Sequence, residues 1–258
     1  NEVDSGPFNS VSLATPLVHY QFEGNMNNSG SGAATYDASN DGSGANLSYE
    51  TTGGIGQGQY LKLNNGDLSS TGDGDRVVIP IEIASLDHGT MSFWLREDQR
   101  YYYNSIFNCP ANSGDWEMWI YGGDGTRADL YKGRIDSGDV CTNPALNENG
   151  NGGLDVWNHF TWRWVQEESG SCHYQLFLNG ELVDSCTGGS WAESGMQFFL
   201  GGGNGNDYAT WSMDDFRIYN VCLDEDGIRA LAAEVPEPST IILILSALAG
   251  LVFFARKR

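Results

Sequence analysis

Two adjacent carboxylates, Asp214 and Asp215, stand in the run SMDDFRIY, after the alternating Thr210, Trp211, Ser212 and Met213. Successive residues of a strand face opposite ways, so one of the pair points outward and the other towards the sheet interior or an edge. A carboxylate aimed inward is costly unless it is paired or metal-bound. From the residues alone, Asp214 can be a partner of Arg217 or a cap on a loop. A second acidic pair, Asp115 and Glu117 in GDWEMW, would share a strand face at about 7 Å, the scale of glycosidase carboxylate pairs, although two acids on an exposed face are usually just solvated. His19, His88, His159 and His173 are scattered, and His159, between Trp157 and Phe160, reads as a packed strand residue rather than a base. No Gly-x-Ser-x-Gly or Cys-His set is present. The triplet Tyr101, Tyr102, Tyr103 and the nearby Trp116, Trp119 and Tyr121 offer flat apolar faces beside Asp and Asn, the combination a polysaccharide site uses.

Cysteines stand at Cys109, Cys141, Cys172, Cys186 and Cys222, with no C-x-x-C pair, which disfavours a metal-thiolate site. The stretch CHYQLFLNGELVDSC reads as two strands around Asn179-Gly180. A three-residue loop with a bulge would set Cys172 opposite Cys186, so a cross-strand disulfide is expected there. Cys109 with Cys141 is a weaker second pair and Cys222 is left over. Five buried free thiols are the alternative.

The elements that must position these groups are strands. The 34 glycines against 13 basic residues disfavour long helices, and 40% hydrophobic content supplies a core. Residues 1–16 read as an extended arm. The run LVHYQFEG, from Leu17, alternates as a half-buried strand, and 24–58 reads as loop with at most short strands. Further strands are expected at 60–63, 76–80, 91–96, 105–109, 116–121, 130–135, 157–166, 172–178, 181–186, 196–201 and 210–219. Asp224 can cap one short helix, with Ile228 and Leu231 on a single face. The expected fold is all-β: one domain over 17–233, a two-sheet antiparallel sandwich with a helix at its C-terminal end.

The chain ends in a Pro-containing linker, 234–240, and the uncharged run 241–255, followed by Arg256, Lys257 and Arg258. The tail holds three of the 13 basic residues and two of the 34 acidic ones, which leaves −22 on the first 233 residues. Such a surface repels phosphate backbones and argues against nucleic-acid binding, while Asp and Asn in Gly-rich loops suit a divalent cation or serve only to keep a secreted protein soluble. The run is about 23 Å long as a helix, short for a relaxed membrane span, though snorkelling of the terminal basic residues closes the gap. Those residues favour the cytoplasmic side and put the acidic body outside. The opening at Asn1 is read as the trace of a removed signal peptide.

The tail VPEPSTIILILSALAGLVFFARKR resembles the PEP-CTERM sorting signal of Gram-negative bacteria: the triplet Pro236, Glu237, Pro238, then a hydrophobic helix over 241–258 with a basic end. The resemblance implies export, recognition by an exosortase near the triplet, and delivery to the cell surface or extracellular matrix. An ordinary inner-membrane anchor facing the periplasm is the alternative.

The body resembles the laminin-G-like, concanavalin A-like jelly roll in its ordered pieces LVHYQFEGNMNNSG, TMSFWLR, WNHFTWRW, YQLFLNGELV and SMDDFRIYNVCLDEDGIRALAA. In that family a calcium ion commonly ties the acidic position of the last strand to the loop after the first. Carried over, the ligands would be Glu23 or Asn25, with Asp214 and backbone carbonyls. Laminarinase-type hydrolases share the sandwich but carry a Glu-x-Asp-x-Glu strand, which this chain lacks. The expectation is a non-enzymatic, calcium-stabilised surface protein that binds a polysaccharide in adhesion or matrix interaction. The alternatives are a structural subunit with a surface-protein partner and, more remotely, a glycoside hydrolase.

Overall fold

The computed structural model describes residues 10–11, 14–42, 46–65, 75–98, 104–109, 116–121, 129–135, 138–146, 156–168, 171–190, 197–201 and 209–234. The early strands are β1 (Ser10–Val11), β2 (Val18–Tyr20), β3 (Ser39–Asp41), β4 (Leu47–Glu50), β5 (Tyr60–Asn65), β6 (Arg76–Ile79) and β7 (His88–Glu97). The middle of the chain supplies β8 (Asn104–Cys109), β9 (Trp116–Tyr121), β10 (Asp129–Ile135), β11 (Gly138–Leu146) and β12 (Trp157–Gln166). Then come β13 (Ser171–Leu178), β14 (Glu181–Ser190), β15 (Phe198–Leu200), β16 (Ala209–Tyr219), β17 (Cys222–Leu223) and the helix α1 (Glu225–Ala233).

Two antiparallel sheets face each other. The larger runs β14-β13-β12-β7-β16-β5-β4, with β2 also on β16, and the smaller runs β11-β10-β9-β8-β15-β6-β3. Strand alternation explains the packing. Met91, Phe93 and Leu95 of β7 and Phe160, Trp162 and Trp164 of β12 turn inward to one core cluster that also takes Ile106, Phe107 and Met118 from the smaller sheet. Two indoles cross the core: Trp211 Nε1–H donates to the Ser105 carbonyl at 2.7 Å, and Trp162 Nε1–H points at Met118 Sδ at 3.1 Å. Each supplies apolar area and still satisfies its one polar atom.

The expected strands form, and the helix is capped as anticipated, with Asp224 Oδ1 accepting from Gly227 N and Ile228 and Leu231 buried. β11 was not anticipated. Part of the expected arm, Ser10–Val11, pairs in parallel with β17. Residues 235–258, with the Pro236-Glu237-Pro238 triplet and the hydrophobic run, lie outside the described residues. Among those described, no helix is long and apolar enough to cross a membrane.

The cysteine expectations are corrected by register. Asn179 and Gly180 both take positive φ, 51° and 84°, which makes a two-residue hairpin with Leu178 opposite Glu181. A register shift then follows between Leu176 and Phe177, so Cys186 faces Tyr174 and Cys172 faces Gly188. Cys172 is a free, buried thiol whose pKa burial pushes up to about 12. Cys109 lies on β8 and Cys141 on β11, three strands away through Phe107, Met118 and Gly133. That separation is about 14 Å, far beyond the ~7 Å between Cα atoms that a disulfide tolerates.

Replacing Trp211 with Phe removes the tie between the sheets and leaves the Ser105 carbonyl buried without that donor. A loss of about 1–3 kcal/mol in urea denaturation is expected. An unchanged midpoint would show that the tie contributes nothing.

Candidate functional site

β16 changes neighbours along its length. Residues from Ala209 to Met213 pair with β5, and those from Phe216 to Ile218 pair with β2. Between the two stretches its register on β7 shifts, from Asp214 opposite Trp94 to Arg217 opposite Ser92, and Asp215 takes φ 52°. This is a β-bulge, and it breaks the simple alternation expected of adjacent residues.

The two aspartates take different partners there. Asp214, 4% exposed, accepts from the backbone N–H of Ile55 and of Asp215, both at 2.8 Å. Burial raises its pKa to about 8, an effect that the Ile55 hydrogen bond opposes and the neighbouring Asp215 and Glu23 carboxylates reinforce. Asp215 meets His19 Nε2 at 2.6 Å and Arg217 at 2.8 Å, and Arg217 reaches Glu234 at 2.7 Å. Although burial pushes the other way, His19 and Arg217 hold Asp215 below the usual carboxylate range. The cap on a loop, one of the alternatives for Asp214, is what the structure shows, while Arg217 belongs to Asp215.

Glu23 is brought to the same loop, accepting from Gln59 N at 3.2 Å. Asn25 is not. Its amide closes a local turn, donating to the Glu23 carbonyl and accepting from Asn27 N. Among the described residues no three His, Cys, Asp or Glu side chains gather as a metal cluster. The segment from Gly53 to Gly58 is Gly-rich because it approaches so closely: a Cβ on Gly54 would stand 2.9 Å from Asp214 Oδ2, and one on Gly58 2.1 Å from Glu23 Oε1.

The outer face of the large sheet carries a level row that sequence reading missed. Trp157, Arg96, Ser212, Lys62 and Ser48 are successive cross-strand partners over β12, β7, β16, β5 and β4, a span of about 19 Å. Arg96 lies over the rings of Tyr60 at 4.9 Å and Trp157 at 5.1 Å, and those rings meet edge to face. It also donates to Tyr60 Oη and Ser212 Oγ and pairs with Asp98, which takes the Ser212 hydroxyl and lies 3.7 Å from Lys62. Trp157 Nε1–H donates to the Gly53 carbonyl. The signal was present in TMSFWLR and WNHFTWRW, whose outward alternate positions fall in register once the two strands are paired.

Tyr101, Tyr102 and Tyr103 lie outside the described residues, just past Asp98 in the chain. Trp116, Trp119 and Tyr121 belong to β9, between β8 and β10. Of the second acidic pair, Asp115 lies outside the described residues and Glu117 is on β9.

A laminin-G profile described as the concanavalin A-like lectin/glucanases superfamily matches residues 56–229. The chain belongs to this superfamily. A second profile, the PEP-CTERM protein-sorting motif, matches residues 234–258, and it implies export and exosortase-mediated sorting to the surface. No curated protein matches the sequence. Among solved structures, domain 4 of AbnA, an extracellular GH43 arabinanase from Geobacillus stearothermophilus solved in complex with arabinotriose, is 18% identical with TM-score 0.61, covering 85% of this chain and 98% of that one. The receptor-binding domain of botulinum neurotoxin type G is 16% identical with TM-score 0.59, over 85% of this chain and 51% of that one. The binding domain of botulinum neurotoxin DC, in complex with SialylT, is 14% identical with TM-score 0.59, over 86% and 52%. The chain thus spans about half the length of the neurotoxin domains, and at these identities the likeness establishes the fold.

His159 behaves as a packed residue. It is 2% exposed, its ring meets Trp94 edge to face at 5.1 Å, and burial lowers its pKa to about 3. Because the folded value lies below the ordinary 6.5, the unfolded chain binds the proton more readily between these limits. The stability that His159 contributes is whole above pH 6.5 and is lost as pH falls towards 3. Urea denaturation from pH 7 to pH 4 should show a slope that flattens by about 1.4 kcal/mol per pH unit in His159→Leu.

Proposed function

We propose that this protein is an exported, non-enzymatic carbohydrate-binding module that acts in adhesion or matrix interaction and is delivered by its C-terminal sorting segment. The observation that carries the reading is the row from Trp157 to Ser48. An aromatic face stands at one end and hydrogen-bonding groups follow at strand spacing, an arrangement suited to a chain of sugar rings laid across the strands. The superfamily spans lectins as well as glucanases, and the similar structures include complexes with arabinotriose and SialylT. Tyr101, Tyr102 and Tyr103 remain proposed ligand contacts, and Trp116, Trp119 and Tyr121, on the smaller sheet, are proposed for a separate contact. The hydrophobic run is proposed to hold the body at the outer side of the inner membrane until an exosortase processes it.

On a glycan array the chain should bind a restricted set of polysaccharides without releasing reducing ends. Trp157→Ala should weaken that binding by roughly tenfold, the scale of one aromatic contact. Equal binding by wild type and variant would remove the row from the reading, and release of reducing ends would make the protein a hydrolase.

Calcium belongs to the same reading. The residues fit a cation in part: Asp214 is a buried carboxylate with no cationic partner among the described residues, and Glu23 is near enough to raise its pKa. These two, with backbone carbonyls, would hold the ion, which would supply the positive charge that the pair lacks and brace the 53–58 loop. Thermal unfolding should occur at higher temperature in calcium than in chelator, and Asp214→Ala should abolish the difference. Identical wild-type curves in calcium and chelator would remove the ion.

A further inference from the structure

Four hydrogen-bonding atoms on the outer face of the large sheet are buried and unpartnered: Ser92 Oγ, Trp94 Nε1, His159 Nδ1 and Thr161 Oγ1. They belong to two cross-strand pairs, Ser92 with Thr161 and Trp94 with His159, one pair two residues along from the other. The four side chains thus share a patch of about 5 Å by 7 Å. None is more than 7% exposed. A buried polar group left unpaired costs about 1–3 kcal/mol, and native proteins satisfy such groups with water or ligand. Four of them side by side, on the face turned away from the core, are not a by-product of apolar packing.

Three elements fence the patch. On one side α1 packs on Phe177, the cross-strand partner of Thr161. Along β16 stands the ion-pair chain of His19, Asp215 and Arg217, and Arg217 is the partner of Ser92. On the third side the 53–58 loop bridges from β16 to β12. Its Ile55 N–H bonds to Asp214 and its Gly53 carbonyl to Trp157, so it passes over the intervening β7 at the level of Trp94 and Arg96.

We infer that this patch is a closed binding site for one neutral, hydroxyl-rich sugar unit, entered when the 53–58 loop lifts. The inference rests on the carbohydrate-binding reading and gives it a specificity. An indole N–H donates, the two hydroxyls donate or accept, and an uncharged imidazole nitrogen does one or the other according to its tautomer. Arg217 is engaged by Asp215 and Glu234, and Arg163 by Gln175 and the Leu223 carbonyl, so the patch itself offers hydrogen bonds of both senses. Neighbouring sugar hydroxyls match that set, whereas a uronate carboxylate would have to be buried beside the Asp214 carboxylate, the cross-strand partner of Trp94. The loop is suited to lifting because hydrogen bonds from Ile55 N–H to Asp214 and from Trp157 to the Gly53 carbonyl tie it to the sheet, and Gly53 and Gly56 take φ 96° and 71°.

The test uses the full chain with arabinotriose, a neutral glucose trisaccharide and a uronic-acid trisaccharide, read by calorimetric titration and by ligand-dependent thermal shift. Wild type should bind a neutral trisaccharide and not the uronate. The double variant Ser92→Ala, Thr161→Val should melt at or above the wild-type temperature, since it removes unsatisfied atoms, yet lose about tenfold or more in affinity. Trp94→Phe, which removes the indole N–H with its five-membered ring and keeps one aromatic ring, should weaken the same ligand if the double variant misfolds. Unchanged affinity in folded variants would overturn the site while leaving carbohydrate binding in place. Binding of the uronate alone would overturn the specificity. Failure of wild type to bind any glycan on the array would remove the parent reading and this one together.

Discussion

The geometry of the site depends on one bulge in one strand. β16 lies in the middle of the large sheet and must satisfy β7 along one edge and two successive partners, β5 and β2, along the other. The extra residue, in the register against β7, sits where the partners on the other edge change. Asp214 ends up capping the loop that enters β5, and Asp215 grips His19 of β2 and Arg217 of its own strand. Both carboxylates thus brace the junction, and the loop that Asp214 fixes is the one that crosses the outer face.

That outer face has two regimes. At one end α1 turns it into a second small core, in which Phe177, Tyr219 and Leu223 meet Ile228 and Leu231. Arg163 is drawn into this region, over the Phe177 ring, and is satisfied by Gln175 and the Leu223 carbonyl. Farther along the same strands the row of Arg96, Ser212 and Lys62 is polar and partly open. The sheet therefore passes from a sealed end to an end with hydrogen-bonding capacity, and the orphaned atoms lie between the two.

Much of this was legible in the sequence because alternation in β7, β12 and β16 separates core from outer residues without reference to partners. The Asp224 cap and the Asn179-Gly180 turn were legible for the same reason: each is decided within a few residues. Register was not. The two-residue turn and the bulge beside Leu176 each move Cys186 by one position relative to Cys172, and nothing local in YQLFLNGELV announces the bulge. Asn25 was misplaced for a related reason, since its amide is spent on its own turn. The row containing Trp157 and Arg96 was out of reach because it exists only once five strands from distant parts of the chain are aligned.

The salt bridge from Arg217 to Glu234 has a mechanical consequence. Tension applied through the C-terminal segment enters the domain at Glu234, where it meets that bridge and the cap formed by Glu234 N–H on the Ala230 and Leu231 carbonyls. The helix behind it is nine residues long and held mainly by Ile228 and Leu231, so it peels one turn at a time under a modest pull. β17 and then β16 come next, and β16 is hydrogen-bonded along both edges, which requires many bonds to yield together. A pull on that segment would thus extend the helix before it loads the sandwich that carries the outer face.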